Sequence, residues 1–293
     1  MTRRSTLVLL SAFLLLAGCH ARAGRRVVVG SKNFTEQIVL AELLAQQIEA
    51  RAGLHVDRRV NLGGTLIRQQ ALRAGQIDLY VEYTGTALTA VLGERPSSDA
   101  AAVYERVRAE YAHRFGFVVT EPLGFNNTFA IVVRGDDARR LNLHTISDLA
   151  PIATQWRAGF GYEFMERPDG YRGWAETYHL HFAAQPRVMD LGLLYRALQD
   201  KQVDVVAGNS TDGLIPALDL AVLQDDRHYF PPYEAVPVTR GAVLEQHPEL
   251  RAVLAALGGK ISAQEMQRLN YAVDGEHQDV GTAVREFRGK KGL

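Results

Sequence analysis

A nine-residue pattern occurs twice in this chain. Ala71-Leu72-Arg73-Ala74-Gly75-Gln76-Ile77-Asp78-Leu79 returns as Ala197-Leu198-Gln199-Asp200-Lys201-Gln202-Val203-Asp204-Val205, at a constant offset of 126 positions. Each copy reads as the end of a helix, a turn, and a strand opening at Ile or Val followed by Asp. Each strand then runs into a loop of small residues, Tyr83-Thr84-Gly85-Thr86 in the first and Asn209-Ser210-Thr211-Asp212-Gly213 in the second, with Tyr83 and Asn209 at equivalent places. The repeat implies two similar α/β lobes. In open α/β sheets the loops at the carboxyl ends of strands line the ligand crevice, so the equivalent loops are expected to face one another across a shared cleft.

Length and composition agree with two compact units: 293 residues, 47% hydrophobic and 23% charged, enough to bury a sizeable core. Lys+Arg and Asp+Glu both total 33, which leaves no long-range field to draw in nucleic acid or an anionic membrane. The basic C-terminal run, Arg285 through Lys291, is a short solvated stretch. A single cysteine excludes an internal disulfide framework and any multi-Cys metal site. His179 and His181 stand two apart rather than four, so no metal is expected. Ser210 misses the last glycine of a Gly-x-Ser-x-Gly elbow, and no catalytic residue is assigned.

The N-terminus carries an export signal. Arg3 and Arg4 precede an apolar run from Leu7 to Ala17, shorter than the roughly 17 residues a spanning helix needs at minimum. Residues 1–18 are expected to be removed, leaving 31 basic against 33 acidic residues. The run ends Leu16-Ala17-Gly18-Cys19, which resembles the bacterial lipoprotein processing box and marks Cys19 for lipidation. No later stretch reaches spanning length. The mature protein is therefore expected outside the cytoplasm, tethered to a membrane by lipid.

Beyond a linker at 19–26, Val27 to Val29 reads as a strand. A helix follows, with Asn33 and Glu36 spaced as an N-cap signature, and Val56 to Leu62 reads as a second strand. Such β-α-β alternation predicts mostly parallel sheets. Residues 27–127 are assigned to lobe 1, 128–230 to lobe 2 and 231–293 to a return into lobe 1, after an extended crossing marked by Pro231-Pro232 and Pro237. Ala242 to Leu257 and Ser262 to Tyr271 are predicted helices. The Gly30–Glu36 turn, with Lys32, suits an anion, but lacks the spacing of a nucleotide phosphate loop. Tyr83 and Thr86 stand at a strand exit and Tyr80 is expected to pack. Phe129 and Tyr233 fall near the lobe crossings, and Arg167 follows a Gly-rich turn at Gly159-Phe160-Gly161. Rings attract a quaternary ammonium and Lys or Arg holds a carboxylate, so together these residues suit a zwitterion.

From Val27 to Leu293 the chain resembles the osmoprotectant-type substrate-binding proteins of ABC importers, which capture glycine betaine, choline, carnitine and related quaternary amines. The similarity is carried by Gly30-Ser31-Lys32-Asn33-Phe34-Thr35-Glu36-Gln37, Glu82-Tyr83-Thr84-Gly85-Thr86, Asn126-Asn127-Thr128, Glu163-Phe164 with Arg167, and Ser210-Thr211-Asp212-Gly213. The resemblance implies a bilobal periplasmic-binding-protein fold of type II, two α/β lobes joined by a hinge that closes over the solute. Its implied partners are a membrane permease and an ATPase, with no cofactor. By resemblance, Lys32, Thr86 and Arg167 hold the ligand carboxylate, while Tyr83, Phe129, Asn209 and Tyr233 occupy the four aromatic walls around the cationic head. Two walls depart from the family pattern: Phe129 stands where Tyr is usual, and Asn209 also replaces Tyr. Losing one ring forgoes roughly 0.5–2 kcal/mol of cation–π attraction unless Trp156 or Tyr162 fills the gap. Asn209 equally suits a solute with an additional polar group, such as an amino-acid derivative. A sensory module without transport is a further alternative, which an adjacent permease gene would argue against.

Overall fold

The computed structural model describes residues 26–293, so the signal segment and Cys19 lie outside the described residues. Two five-stranded sheets form the frame. The first contains β1 (Arg26–Gly30), β2 (His55–Arg59), β3 (Leu79–Tyr83), β4 (Phe117–Val119) and β10 (Ala235–Arg240), in the order β2-β1-β3-β10-β4. The second contains β5 (Phe129–Arg134), β6 (Ala158–Phe160), β7 (Arg187–Val188), β8 (Val205–Asn209) and β9 (Leu220–Leu223), in the order β7-β6-β8-β5-β9.

The two orders match strand for strand, with β3 and β8 central and 126 positions apart. In each copy of the repeat the aspartate ties the turn to a neighbouring strand. Asp78 N–H donates to Val28 O at 2.7 Å while its Oδ2 accepts Val28 N–H at 2.8 Å; Asp204 N–H donates to Arg157 O at 2.7 Å while its Oδ2 accepts Arg157 N–H at 2.9 Å. An arginine completes each turn, Arg240 on Asp78 and Arg134 on Asp204. A carboxylate is needed there because one oxygen satisfies a strand N–H and the other an ion pair.

The sheets are mixed rather than mostly parallel. β1 runs parallel to β2 and β3, but β10 is antiparallel to both β3 and β4. Likewise β6 runs parallel to β7 and β8, whereas β5 is antiparallel to β8 and β9. The antiparallel member is the strand by which the chain enters or leaves each lobe. The two crossings lie side by side: Asn127 N–H donates to Tyr233 O at 3.0 Å, Tyr233 N–H donates to Asn126 Oδ1 at 2.5 Å, and Asn126 bridges Glu234.

Local chemistry sets the element ends. The Thr35–Ala52 helix stops where Gly53 takes φ 63°, a left-handed conformation that costs glycine little. β2 stops at Arg59 rather than Leu62, because Asn61 and Gly63 both adopt positive φ. The predicted 242–257 helix is two helices, Gly241–Gln246 and Leu250–Ala255, since Pro248 disfavours the helical region for His247. Gly159 and Phe160 belong to β6 rather than to a turn, and β1 opens at Arg26, one residue inside the expected linker.

Lobe 1 packs Val39, Leu40, Leu43, Leu44 and Ile48 beneath the C-terminal helices Ala263–Asp274 and Val280–Lys291, which contribute Met266, Val284 and Phe287. Each such side chain, fully buried, stabilises the fold by about 1.5–3 kcal/mol relative to exposure. Lobe 2 builds an aromatic core from Phe160, Phe164, Trp174 and Tyr178. Phe164 carries that core to the cleft, edge-on to Phe129 at 4.9 Å between ring centroids. Tyr80 packs fully buried, its hydroxyl 3.0 Å from Glu82 Oε2.

Candidate solute site between the lobes

A cavity of about 150 Å³ lies between the lobes, and Lys32, Tyr83, Thr86, Phe129, Arg167, Asn209 and Tyr233 all line it. Lobe 1 presents Lys32 from the end of β1 and Tyr83 and Thr86 from the end of β3. Lobe 2 presents Phe129 at the start of β5, Arg167 after the Tyr162–Glu166 helix, and Asn209 at the end of β8. Tyr233 comes from the second crossing. Tyr162 also lines the cavity, whereas the buried Trp156 does not.

Both cations are paired with carboxylates of their own lobe. Lys32 Nζ donates to Glu82 Oε1 at 2.5 Å and to Thr65 Oγ1 at 3.0 Å. Arg167 forks onto Asp169, Nε to Oδ1 at 2.9 Å and Nη2 to Oδ2 at 2.6 Å, and Tyr233 OH donates to the same Oδ2 at 2.6 Å. Burial opposes charge on both members of this pair, yet their mutual attraction prevails, holding the guanidinium above its ordinary range and Asp169 below the usual carboxylate range. Burial, reinforced by Asp169, raises the Tyr233 phenol, so its proton stays available to donate.

The rings sit where cations already meet them. Lys32 Nζ lies 5.4 Å from the Tyr83 centroid, and the Arg167 guanidinium carbon lies 4.9 Å from the Phe129 centroid and 5.7 Å from that of Tyr233. These distances are within cation–π reach. Phe34 stacks with Tyr83 at 6.4 Å and adds a further ring to the lining.

Glu36 is not the capping residue its spacing suggests. The helix N-cap position is Phe34, with no side-chain cap, and Asn33 faces the cavity. The Glu36 carboxylate turns inward. Oε1 accepts from Tyr83 OH at 2.6 Å and Asn127 Nδ2 at 2.8 Å; Oε2 accepts from Thr211 Oγ1 and from Asn270 Nδ2 at 3.0 Å. It thus ties the Tyr83 wall to the hinge, lobe 2 and the C-terminal helix. Burial raises its proton affinity and the four donors oppose that. In lobe 2 the corresponding anchor is Asp212, which accepts from Tyr195 OH at 2.5 Å and Asn209 N–H at 2.9 Å.

The carboxylates Glu82, Asp169 and Glu163 do not stand out in the sequence as site residues, yet they hold the site's cations and Thr65. Asp169 had a usable signal, since it lies two residues from Arg167; Glu82 meets Lys32 only after 50 residues of intervening chain. Among the described residues no group of three or more His, Cys, Asp or Glu is placed to hold a metal ion, and no helix is long and apolar enough to cross a membrane.

Residues 25–290 match the family described as the substrate binding domain of ABC-type glycine betaine transport systems. The chain belongs to that family. The binding protein is 37% identical over 292 residues to a glycine-betaine-binding protein of Pseudomonas aeruginosa, covering 96% of this chain and 92% of that one. It is 35% identical to a carnitine transport binding protein of Listeria monocytogenes, covering 97% and 94%. A crystal structure of a glycine betaine/carnitine/choline ABC transporter protein superimposes with a TM-score of 0.76 at 36% identity, over 90% of this chain and 98% of that one. The bilobal type II binding-protein fold and the role of substrate-binding component of an ABC importer, on the outer side of the membrane, follow from this membership.

Proposed function

We propose that the binding protein captures one quaternary-ammonium or zwitterionic compatible solute of the glycine betaine or choline type in the interlobe cavity and delivers it to the permease. In this reading Lys32, Thr86 and Arg167 take the carboxylate, Tyr83, Phe129 and Tyr233 wall the ammonium, and Asn209 stands on the fourth side. The supporting observation is that all seven residues, drawn from both lobes and the crossing, line one cavity, and each of the three rings already holds a cation within 6 Å of its centroid. The local charge favours a cation as well: Lys32 and Arg167 are each neutralised by a carboxylate, and Glu163 and Asp190 add further acids to the lining.

The lobes divide at 127/128 and 230/231, a reading supported by sheet membership, with the first sheet drawing on residues 26–119 and 235–240 and the second on 129–223. Cys19 carries the lipid anchor, and an ATPase powers the partner permease. A second reading keeps the fold and gives it a solute with an additional polar group, because the fourth wall is an amide.

Titration calorimetry with glycine betaine, choline, carnitine and ergothioneine tests the solute class. At least one should give saturable heat with one site per chain. Silence from all four up to millimolar concentration removes the class.

A further inference from the structure

We infer that Glu163 is the latch of the closed cleft, a positioning residue that caps a helix of the opposite lobe and fixes Lys32 through Thr65. The inference rests on the cleft being a solute site, not on which solute fills it.

The Thr65–Arg73 helix starts without a cap of its own. Its N-cap is Gly64, which has no side chain, and no acid lies in its first turn. The first N–H groups of a helix need an acceptor, and a carboxylate there also meets the positive end of the dipole. Lobe 2 supplies it. Glu163 Oε1 accepts Thr65 N–H at 2.5 Å and Oε2 accepts Thr65 Oγ1–H at 3.2 Å. Gly64 is required for this approach, since a Cβ there would come within 2.5 Å of Glu163 Oε1.

Thr65 Oγ1 in turn accepts from Lys32 Nζ at 3.0 Å. On the other side, Glu163 O accepts Arg167 N–H at 2.9 Å. One chain of hydrogen bonds therefore runs Lys32, Thr65, Glu163, and the turn bearing Glu163 positions Arg167, so the two proposed carboxylate-binding cations are registered to each other only while the lobes meet. The scaffold repeat does not demand this contact: 126 positions on from Thr65 the chain has Leu191. The latch belongs to one side of the cleft.

The experiment uses the full-length protein with Glu163→Ala, Glu163→Gln and Gly64→Ala, reading stopped-flow solute release and hydrogen exchange at the Thr65 amide. Glu163→Ala should speed release about ten- to hundredfold with association changed less than about threefold, because the lost contacts form only after the lobes meet. Glu163→Gln, which keeps an acceptor but not the charge, should fall between. Gly64→Ala should match Glu163→Ala by displacing the same carboxylate, and it decides the matter if Glu163→Ala does not fold. Thr65 exchange should be slow in the wild type and fast in Glu163→Ala. If release and exchange are both unchanged in Glu163→Ala and Gly64→Ala, the inference is overturned. If the wild type binds none of the quaternary-ammonium solutes, the solute assignment fails separately. The latch is then tested with a solute that does bind, since it belongs to the closed cleft, and equal release and exchange rates in the solute-bound wild type and Glu163→Ala overturn it.

Discussion

The two lobes share a frame and differ at its working end. Strand order, pairing direction and the aspartate-clamped turn are the same in both, but β3 ends in Tyr83 and β8 in Asn209. Each residue is anchored by an acid, buried Glu36 beneath the Tyr83 hydroxyl and half-buried Asp212 beneath the Asn209 backbone N–H. A duplicated scaffold can therefore keep its hydrogen-bonded turns while the residue at the strand exit varies, because the scaffold bonds use backbone groups and Asp78 or Asp204, not the exit side chain. That difference makes lobe 1 and lobe 2 separately testable.

The largest effect is expected at the cations, one from each lobe. Arg167→Ala strands Asp169, which is fully buried, and removing one partner of a buried pair costs about 3–5 kcal/mol. Thermal melting should show the loss directly, and calorimetry should show solute affinity falling at least about a hundredfold. Lys32→Ala should behave alike in lobe 1, since Glu82 is equally buried; a near-neutral result in either lobe breaks the parallel.

Next come the strand exits. Tyr83→Ala should weaken binding of a quaternary-ammonium solute by about two- to thirtyfold, one ring's worth of cation–π attraction, on top of what packing loses. Asn209→Ala should change it about twofold or less. The reverse exchange, Asn209→Tyr, sharpens the comparison. A gain of similar size says lobe 2 lacks only a ring, whereas no gain favours the solute with an additional polar group.

Acid should act on lobe 2 through its turn. Burial pushes the Asp204 carboxyl up, but the Arg157 N–H and the Arg157 and Arg134 guanidiniums outweigh that and hold it below the usual carboxylate range. A depressed folded-state value means the stabilisation is present above the unfolded value and is lost as pH falls through the folded one. Asp204→Asn should therefore flatten the acid limb of a urea-midpoint series run from neutral pH to pH 3, and an unchanged limb would show that the turn does not depend on the charge. The smallest effect is at the turn residue, where lobe 1 has Gly75 at φ 66° and lobe 2 has Lys201 at φ 55°. Lys201→Gly should stabilise by about 1 kcal/mol or less, since glycine avoids the left-handed penalty but has more entropy to lose.

Much of the frame is legible in the chain itself because the repeat encodes local geometry. Helix, turn, aspartate and strand lie within nine residues, and the exits Tyr83 and Asn209 follow from counting along the strands. Strand direction is not legible in this way. β10 joins β3 only across the whole of lobe 2, Tyr83 pairing with Ala235, and period-two patterning looks the same in parallel and antiparallel neighbours. Glu36 reads as a helix cap because its spacing from Asn33 fits a capping box, while the donors that claim it come from residues 83, 127, 211 and 270. The partners of Lys32 and Arg167 are hidden in the sequence for a related reason. A cation in a sequence says that an acid must compensate it when buried, but not which one.

The structure of the protein grown with saturating glycine betaine or choline tests the central claim most directly. The account predicts one solute between the lobes, its ammonium within about 6 Å of the Tyr83, Phe129 and Tyr233 ring centroids, with any carboxylate on Lys32 or Arg167. A solute bound elsewhere, or an ammonium that touches none of those rings, would contradict it.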